Sequence, residues 1–144
     1  MKLPLPSETV FHLIEKTIKE YRKFSQKNIS EKIKDITIDQ SLVLLFLKKH
    51  PELTQKEIAG LIFKDNASMT RMITLMVNKK YIKRSMNEED RRRYKLEITS
   101  KGNKTLGELE SIISSNRKKS LKGITEKELI QLDTILTKIN TNWN

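Results

Sequence analysis

Two short clusters of arginine and hydroxyl side chains carry the clearest chemical signal in this sequence. Residues 91–93 are three consecutive arginines, and residues 68–71 read Ser-Met-Thr-Arg. A guanidinium can donate two parallel hydrogen bonds to a phosphate or to guanine, and short hydroxyl side chains can bond to base edges or phosphates. These residue types at this spacing predict binding to a polyanion, of which nucleic acid is the commonest.

The net charge of the chain supports the same interpretation. Lys and Arg number 29 against 18 Asp and Glu, which gives a charge of +11. Between residues 64 and 104 there are 12 basic and 5 acidic residues, so a segment of 41 residues holds most of the excess. A lysine-rich surface that served only solubility would spread its charge evenly. The local concentration favours a binding face.

Other kinds of chemistry find little support in the sequence. It has only 4 glycines, no glycine-rich phosphate loop and no nucleophile-elbow pattern, so we predict neither an enzyme nor a cofactor. The absence of cysteine excludes disulfides, thiolate zinc sites and a thiol sensor. His12 and His50 lie far apart in sequence, so solvated or hydrogen-bonded side chains are favoured over a shared metal site. Without a signal peptide or a long apolar run, we expect a cytoplasmic protein.

Capping boxes mark where several helices should begin. Thr37, Thr54 and Thr125 are each followed three residues later by Gln or Glu, so that side chain and threonine can satisfy each other's free backbone N–H groups. They predict a central buried helix that ends near residues 50–51, a short helix with Ile58, Leu61 and Ile62 inward, and a last helix.

Apolar spacing predicts the remaining elements. Residues 8–28 should form an amphipathic helix, and residues 30–35 could extend it by a turn or form a loop. The helix at 66–80, capped by Asp65, should turn its methionines towards the core rather than serve as an oxidation sensor or metal site. Strands at 81–86 and 94–98 should pair around a polar tip, and a long helix should run from Thr99 or Ser100 to about residue 119.

Two short helices, a tight polar turn and a basic hairpin together make a winged helix-turn-helix. We therefore predict a mainly α fold with a small β-hairpin wing, divided into a DNA-binding domain at 36–99 and a helical domain formed by 1–35 with 100–144. The helix at 66–80 would enter the major groove, and one wing arginine could enter a narrow minor groove. The candidate DNA-binding residues are Asn66, Ser68, Thr70, Arg71, Thr74, Arg91, Arg92 and Arg93.

Four local patterns resemble the multiple-antibiotic-resistance regulator (MarR) family of bacterial repressors, over roughly residues 8–143. Residues 36–40 resemble the family's Leu-Thr-x-x-Gln opening, and residues 53–59 its first helix-turn-helix segment. Residues 68–71 lie where the recognition helix has Ser-x-Thr-Arg. Residues 90–92 and 98–102 resemble the wing signature Asp-x-Arg and the Leu-Thr-x-x-Gly that follows it.

The resemblance implies a role for each part of the wing and for the flanking helices. Arg92 would enter the minor groove and Asp90 would orient the neighbouring arginines, although Arg91 and Arg93 flank Arg92 and leave the choice among the three open. The terminal helices of two copies would interleave as a homodimer, and a small-molecule effector could bind between them and the winged helix. The apolar positions expected at this interface are Phe11, Ile14, Ile18, Leu129, Leu132, Leu136 and Ile139.

Two functions from different classes fit the sequence. The first is a transcriptional regulator, acting as a repressor, that binds a pseudo-palindromic duplex operator as a dimer and is released by an effector. The second is a protein-interaction module in which the basic charge is incidental. Counterion release makes DNA binding fall steeply with salt, so salt dependence would separate the two.

Overall fold

The computed structural model describes residues 2–86, 88–90 and 93–144. A short 3-10 turn at Pro6–Glu8 comes first. The remaining elements are α1 (Val10–Lys32), α2 (Ile38–Lys49), α3 (Gln55–Leu61), α4 (Asn66–Asn78), β1 (Ile82–Met86), β2 (Tyr94–Ile98), α5 (Ser100–Ser120) and α6 (Glu126–Thr141). This is the predicted order of elements. Among the described residues, no helix is long and apolar enough to cross a bilayer.

All three predicted capping boxes are confirmed. The hydroxyls of Thr37, Thr54 and Thr125 accept hydrogen bonds from the backbone N–H three residues on, at 3.2, 3.3 and 3.1 Å. In each case the Gln or Glu side-chain oxygen accepts a hydrogen bond from the backbone N–H of the threonine. Thr99, rather than Ser100, caps α5 by accepting from the N–H of Gly102 at 3.0 Å. Helices α2, α3, α5 and α6 therefore begin at residues whose side chains satisfy the free backbone N–H groups of the first turn.

Helix α1 begins at Val10, two residues later than predicted, and ends at Lys32. The segment at 30–35 adds a last helical turn as far as Lys32 and then becomes a loop. Ile29 and Ile33 are both buried, so apolar contacts four residues apart hold this turn against the core. Gln26 then secures the following loop by donating to the carbonyl of Ile36 at 3.2 Å and accepting from the N–H of Ile38 at 3.0 Å.

The core surrounds α2, which supplies Val43, Leu44 and Leu47, all of them buried. The methionine stripe of α4 is also buried, which confirms its role in packing. The prediction that Leu61 faces the core is wrong, because its side chain is 45% exposed. Ile58 and Ile62 fill the inward side of this short helix, so Leu61 falls outside the contact with α4 and β2.

The wing begins as an antiparallel pair in which Ile82 faces Ile98 and Met86 faces Tyr94. An isolated bridge between Thr54 and Lys95 attaches β2 to the start of α3. Where the chain enters α5, Gly102 lies so close to the residue before β1 that a Cβ would come 2.2 Å from the carbonyl oxygen of Tyr81. Only glycine fits there, which explains the Thr-x-x-Gly pattern on physical grounds.

Helix α6 stands apart from this core. None of its residues is buried against the part of the chain that the structure describes. Its seam residues Leu129, Leu136 and Ile139 are half-buried, and Leu132 is 53% exposed. The N-terminal half of α1 is exposed as well, with Phe11 at 55%. Two apolar faces thus remain uncovered within one copy of the chain.

Candidate nucleic-acid interface

Helix α4 is held by one face and presents the other to solvent. Met69, Met72, Ile73 and Met76 are buried, which places the opposite side of the helix outward. Among the predicted DNA-binding residues on this helix, all are exposed except Ser68, which is half-buried. The outward side carries Asn66, Ala67, Thr70, Arg71, Thr74, Leu75 and Asn78.

A chain of hydrogen bonds orients Arg71 at the start of α4. Asp65 accepts from the N–H of Ser68 at 2.8 Å and from the Ser68 hydroxyl at 3.1 Å. Arg71 in turn donates from Nη2 to the Ser68 hydroxyl at 3.1 Å. The hydrogen bonds from Ser68, with the positive charge of Arg71 nearby, lower the pKa of Asp65. Ser68 therefore contacts Arg71 directly, while the remaining N–H groups of that guanidinium lie on an exposed side chain.

The two threonines of α4 bond back to their own helix. The hydroxyl of Thr70 donates to the carbonyl of Asn66 at 2.9 Å, and that of Thr74 donates to the carbonyl of Thr70 at 2.9 Å. Gln55 in α3 donates to the Thr70 hydroxyl at 3.2 Å. Sequence reasoning did not single out Gln55, since the only local signal was its place beside the capping threonine.

The wing is tied to α3 by a salt bridge. Arg93 lies 3.1 Å from Glu57, which also completes the capping box of α3. Hydrogen bonds from Thr54 are the main cause of the lowered pKa of Glu57, and the charge of Arg93 adds to them. The backbone N–H of Arg93 also donates to the carbonyl of Asp90 at 3.0 Å. Arg91 and Arg92 lie outside the described residues.

Several basic residues counted in the sequence turn towards the protein. Lys64 pairs with Asp39 at 2.9 Å, and Arg22 pairs with the same carboxylate at 2.6 Å. Lys79 donates to the carbonyl of Asp35 at 2.6 Å, and Lys101 donates to that of Lys79 at 2.7 Å. These lysines tie the helix-turn-helix to α2, to the loop between α1 and α2, and to α5. The charge count therefore overstates the number of cations free to meet DNA.

The two histidines lie on different parts of the structure. His12 is exposed on α1, and His50 caps the end of α2 with its Nδ1 3.4 Å from Glu52. Within the described ranges, no group of three or more His, Asp or Glu side chains could hold a metal ion.

The fold and the site together define a class of protein. A short helix packs against an amphipathic helix whose outer face is exposed and carries Arg71, and a hairpin anchored to the first helix follows. This is a winged helix-turn-helix, in which the second helix is the element that enters the major groove of DNA.

Comparison with known proteins agrees with this class. A family model described as the MarR family matches residues 34–93. The HTH-type transcriptional regulator BilQ of Clostridium symbiosum (strain WAL-14163) is 29% identical over 96 residues, which are 67% of this chain and 67% of that protein. A MepR–DNA complex from S. aureus has a TM-score of 0.83 at 24% identity, covering 93% of this chain and 98% of MepR. BpsR of Bordetella bronchiseptica, in a structure that concerns regulation of its DNA binding by 6-hydroxynicotinic acid, has a TM-score of 0.83 at 19% identity, covering 96% and 98%.

Residues 34–93 are therefore the winged helix-turn-helix of the MarR family of transcriptional regulators, and the solved structures share the fold of the chain as a whole. The observed elements and the fold of these solved structures confirm the predicted fold class. Proteins of the MarR family are DNA-binding regulators rather than enzymes, which confirms the predicted lack of catalytic function.

Proposed function

We propose that two copies of this chain bind an inverted-repeat operator and repress transcription from it. The observation that carries this proposal is the exposed face of α4, which presents Arg71 on a helix whose other side is buried in the core. The wing stands beside it, attached to α3 through Glu57 and Arg93. A helix of this kind fits the major groove, and a basic hairpin can follow the adjacent backbone.

The homodimer is supported by the uncovered apolar faces. The seam of α6 and the stripe of Phe11, Ile14 and Ile18 on α1 are exposed or half-buried in a single copy. Large exposed apolar patches are unusual on a monomer and commonly mark an interaction site. A second copy supplies the same two surfaces, so a two-fold contact would cover both at once.

A two-fold dimer constrains the operator. The recognition helices would lie about one turn of DNA apart, roughly 34–36 Å, so the half-sites should form an inverted repeat. Release by a small molecule is part of the proposal, and its support is the regulation of BpsR by 6-hydroxynicotinic acid in a protein of the same fold. Blocking of a promoter by the bound dimer would make the protein a repressor.

Selection of bound sequences from random duplex DNA, followed by mobility shifts at several salt concentrations, tests the proposal. We expect an inverted repeat whose affinity falls steeply with salt, because phosphate contacts release counterions. A promoter-reporter assay with the selected operator should then show lower expression when the protein is present. Failure of the wild-type protein to bind any duplex at low salt would overturn the function and favour a protein-interaction module.

A further inference from the structure

The hydroxyl protons of both threonines on the outer face of α4 are engaged in hydrogen bonds within the helix. Thr70 donates its one proton to the carbonyl of Asn66, and Thr74 donates its one proton to the carbonyl of Thr70, both at 2.9 Å. A hydroxyl has a single O–H to donate. Neither threonine can therefore donate to a phosphate or to a guanine acceptor while these bonds persist. The hydroxyl oxygen of Thr70 also accepts from Gln55, which occupies one of its lone pairs.

With their protons engaged, these positions offer a partner their methyl groups and the remaining acceptor lone pairs of the hydroxyls. Thr70 and Thr74 are exposed, and so is Ala67, whose side chain is a methyl group alone. Residues 67, 70 and 74 recur at helical spacing on the side opposite the buried methionines, so their apolar groups form one ridge. Arg71, within this ridge, supplies the strong donors.

We propose that this ridge reads the 5-methyl groups of thymine in the major groove by apolar contact, with Arg71 making the polar bonds. The thymine methyl is the one apolar group that a base pair presents there, and alanine and the threonine methyl are suited to it. The inference rests on the proposed DNA-binding function and deepens it, because it names the chemistry by which half-sites are chosen. The operator should accordingly carry thymines where α4 meets the groove.

Two substitutions at Thr74 test the contribution of its methyl group to operator binding separately from that of its hydroxyl. Thr74→Val keeps the methyl and puts a second methyl in place of the hydroxyl, whereas Thr74→Ser keeps the hydroxyl and removes the methyl. Valine, serine and threonine have similar helix propensities, so folding should be comparable. We expect the serine variant to bind the selected operator about fourfold more weakly per half-site than the valine variant, the effect of one buried methyl. The opposite ranking, or equal affinities, would overturn the proposal.

Thr17→Ser is the matched control for the protein. Thr17 is also exposed on a helix, and its hydroxyl donates to the carbonyl of Leu13 at 2.7 Å, as the α4 threonines do to theirs. It lies on α1, away from the recognition face. Its substitution should leave operator affinity at the wild-type level, so a loss at Thr74 alone would come from contact with DNA.

The DNA offers the complementary deletion. Replacing single thymines of the operator by uracil removes only the 5-methyl group. At one position in each half-site we expect the wild-type protein to lose about fourfold in affinity, and Thr74→Ser to lose less at the same position because its partner methyl is already gone. Uracil outside the half-sites is the control. If no uracil substitution changed the affinity, the proposed contact with thymine methyl groups would be wrong but the DNA-binding function would stand. A wild-type protein that bound no duplex would refute the DNA-binding function itself.

Discussion

At the residue scale, Arg71 combines exposure with a defined orientation. Its guanidinium donates to Ser68, which donates to the Asp65 carboxylate that caps the same helix. A long side chain held in this way loses less conformational entropy when it binds than a free one would. This arrangement suits a residue that must meet one acceptor at one place.

We expect Arg71→Ala to relax the preference for one base pair in each half-site, at a cost of about 1–3 kcal/mol per site. Affinity measured on the selected operator and on its single-base variants would show the loss confined to the preferred base. Arg71→Lys is the informative companion, because lysine keeps the charge and loses the two-pronged geometry. An equal loss of affinity for the operator and for random duplex would mean that Arg71 contacts a phosphate rather than a base.

Asp39 provides a second residue-scale prediction, concerning stability. Burial raises its pKa, but the hydrogen bonds and charges of Arg22 and Lys64 outweigh burial and leave the pKa below the ordinary aspartate value. A lowered folded-state pKa stabilises the protein above the unfolded value of about 4, and that stability is lost as pH falls through the folded value.

Asp39→Asn should therefore lower the urea midpoint at neutral pH, with little difference from wild type once the pH is well below 4. Urea unfolding of both proteins between pH 7 and pH 3 would check this, because the difference between the two curves isolates Asp39 from the other carboxylates. A constant difference across that range would mean that the carboxylate charge contributes nothing to stability.

At the scale of elements, the wing combines a packed base with a polar tip. Leu96 in β2 is buried, whereas residues 87–93 are all polar or charged. Arg93 is paired with Glu57, which already serves as the capping partner of Thr54. The base of the wing therefore belongs to the folding unit, and its tip carries charge.

Replacing residues 87–93 by a short glycine-containing turn should leave the melting temperature close to wild type and weaken operator binding. Single alanine substitutions should then rank the arginines. We expect Arg92→Ala to cost about 1–3 kcal/mol and to reduce the salt slope by roughly one, and Arg93→Ala to cost less, since Glu57 already engages that side chain. A larger loss of operator affinity for Arg93→Ala than for Arg92→Ala would make Arg93 the main DNA-contacting arginine of the wing.

At the scale of the whole molecule, one copy of the chain leaves too much apolar surface in contact with water. Helix α6 has no buried residue among those described, although its sequence has the spacing of a helix that packs against a partner. The exposed half of α1 carries the matching stripe. Dimer formation would therefore set the spacing of the two recognition helices without touching DNA.

Substituting Asp for both Leu132 and Leu136 should break the dimer, because burying charges without partners is strongly unfavourable. Light scattering should report a monomer, and mobility shifts should show a large loss of operator affinity although no DNA-facing residue has changed. Thr134→Asp is the matched control, since it adds a charge at an exposed position on the side of the same helix opposite the seam. A wild-type monomer that still bound a single half-site tightly would contradict the dimer.

The sequence by itself determined where most helices begin and which face of α4 is buried. Each capping box closes within four residues, and the 3.6-residue period places apolar residues on one side whatever lies beyond them. The wing hairpin followed in the same way, from two alternating segments around a polar tip. These features depend on neighbours along the chain, which the sequence displays directly.

Contacts between residues far apart in the chain were decided only by the tertiary structure. Lys79 meets the carbonyl of Asp35, 44 residues away, and Glu57 meets Arg93, 36 residues away. Gln55 in α3 reaches Thr70 in α4, on a helix where both threonine hydroxyls turn back to backbone carbonyls. Composition counts a lysine or a hydroxyl equally whether it faces solvent or the protein's own backbone. Only the packing of helices around the core sets those directions, and with them the chemistry that remains free to meet DNA.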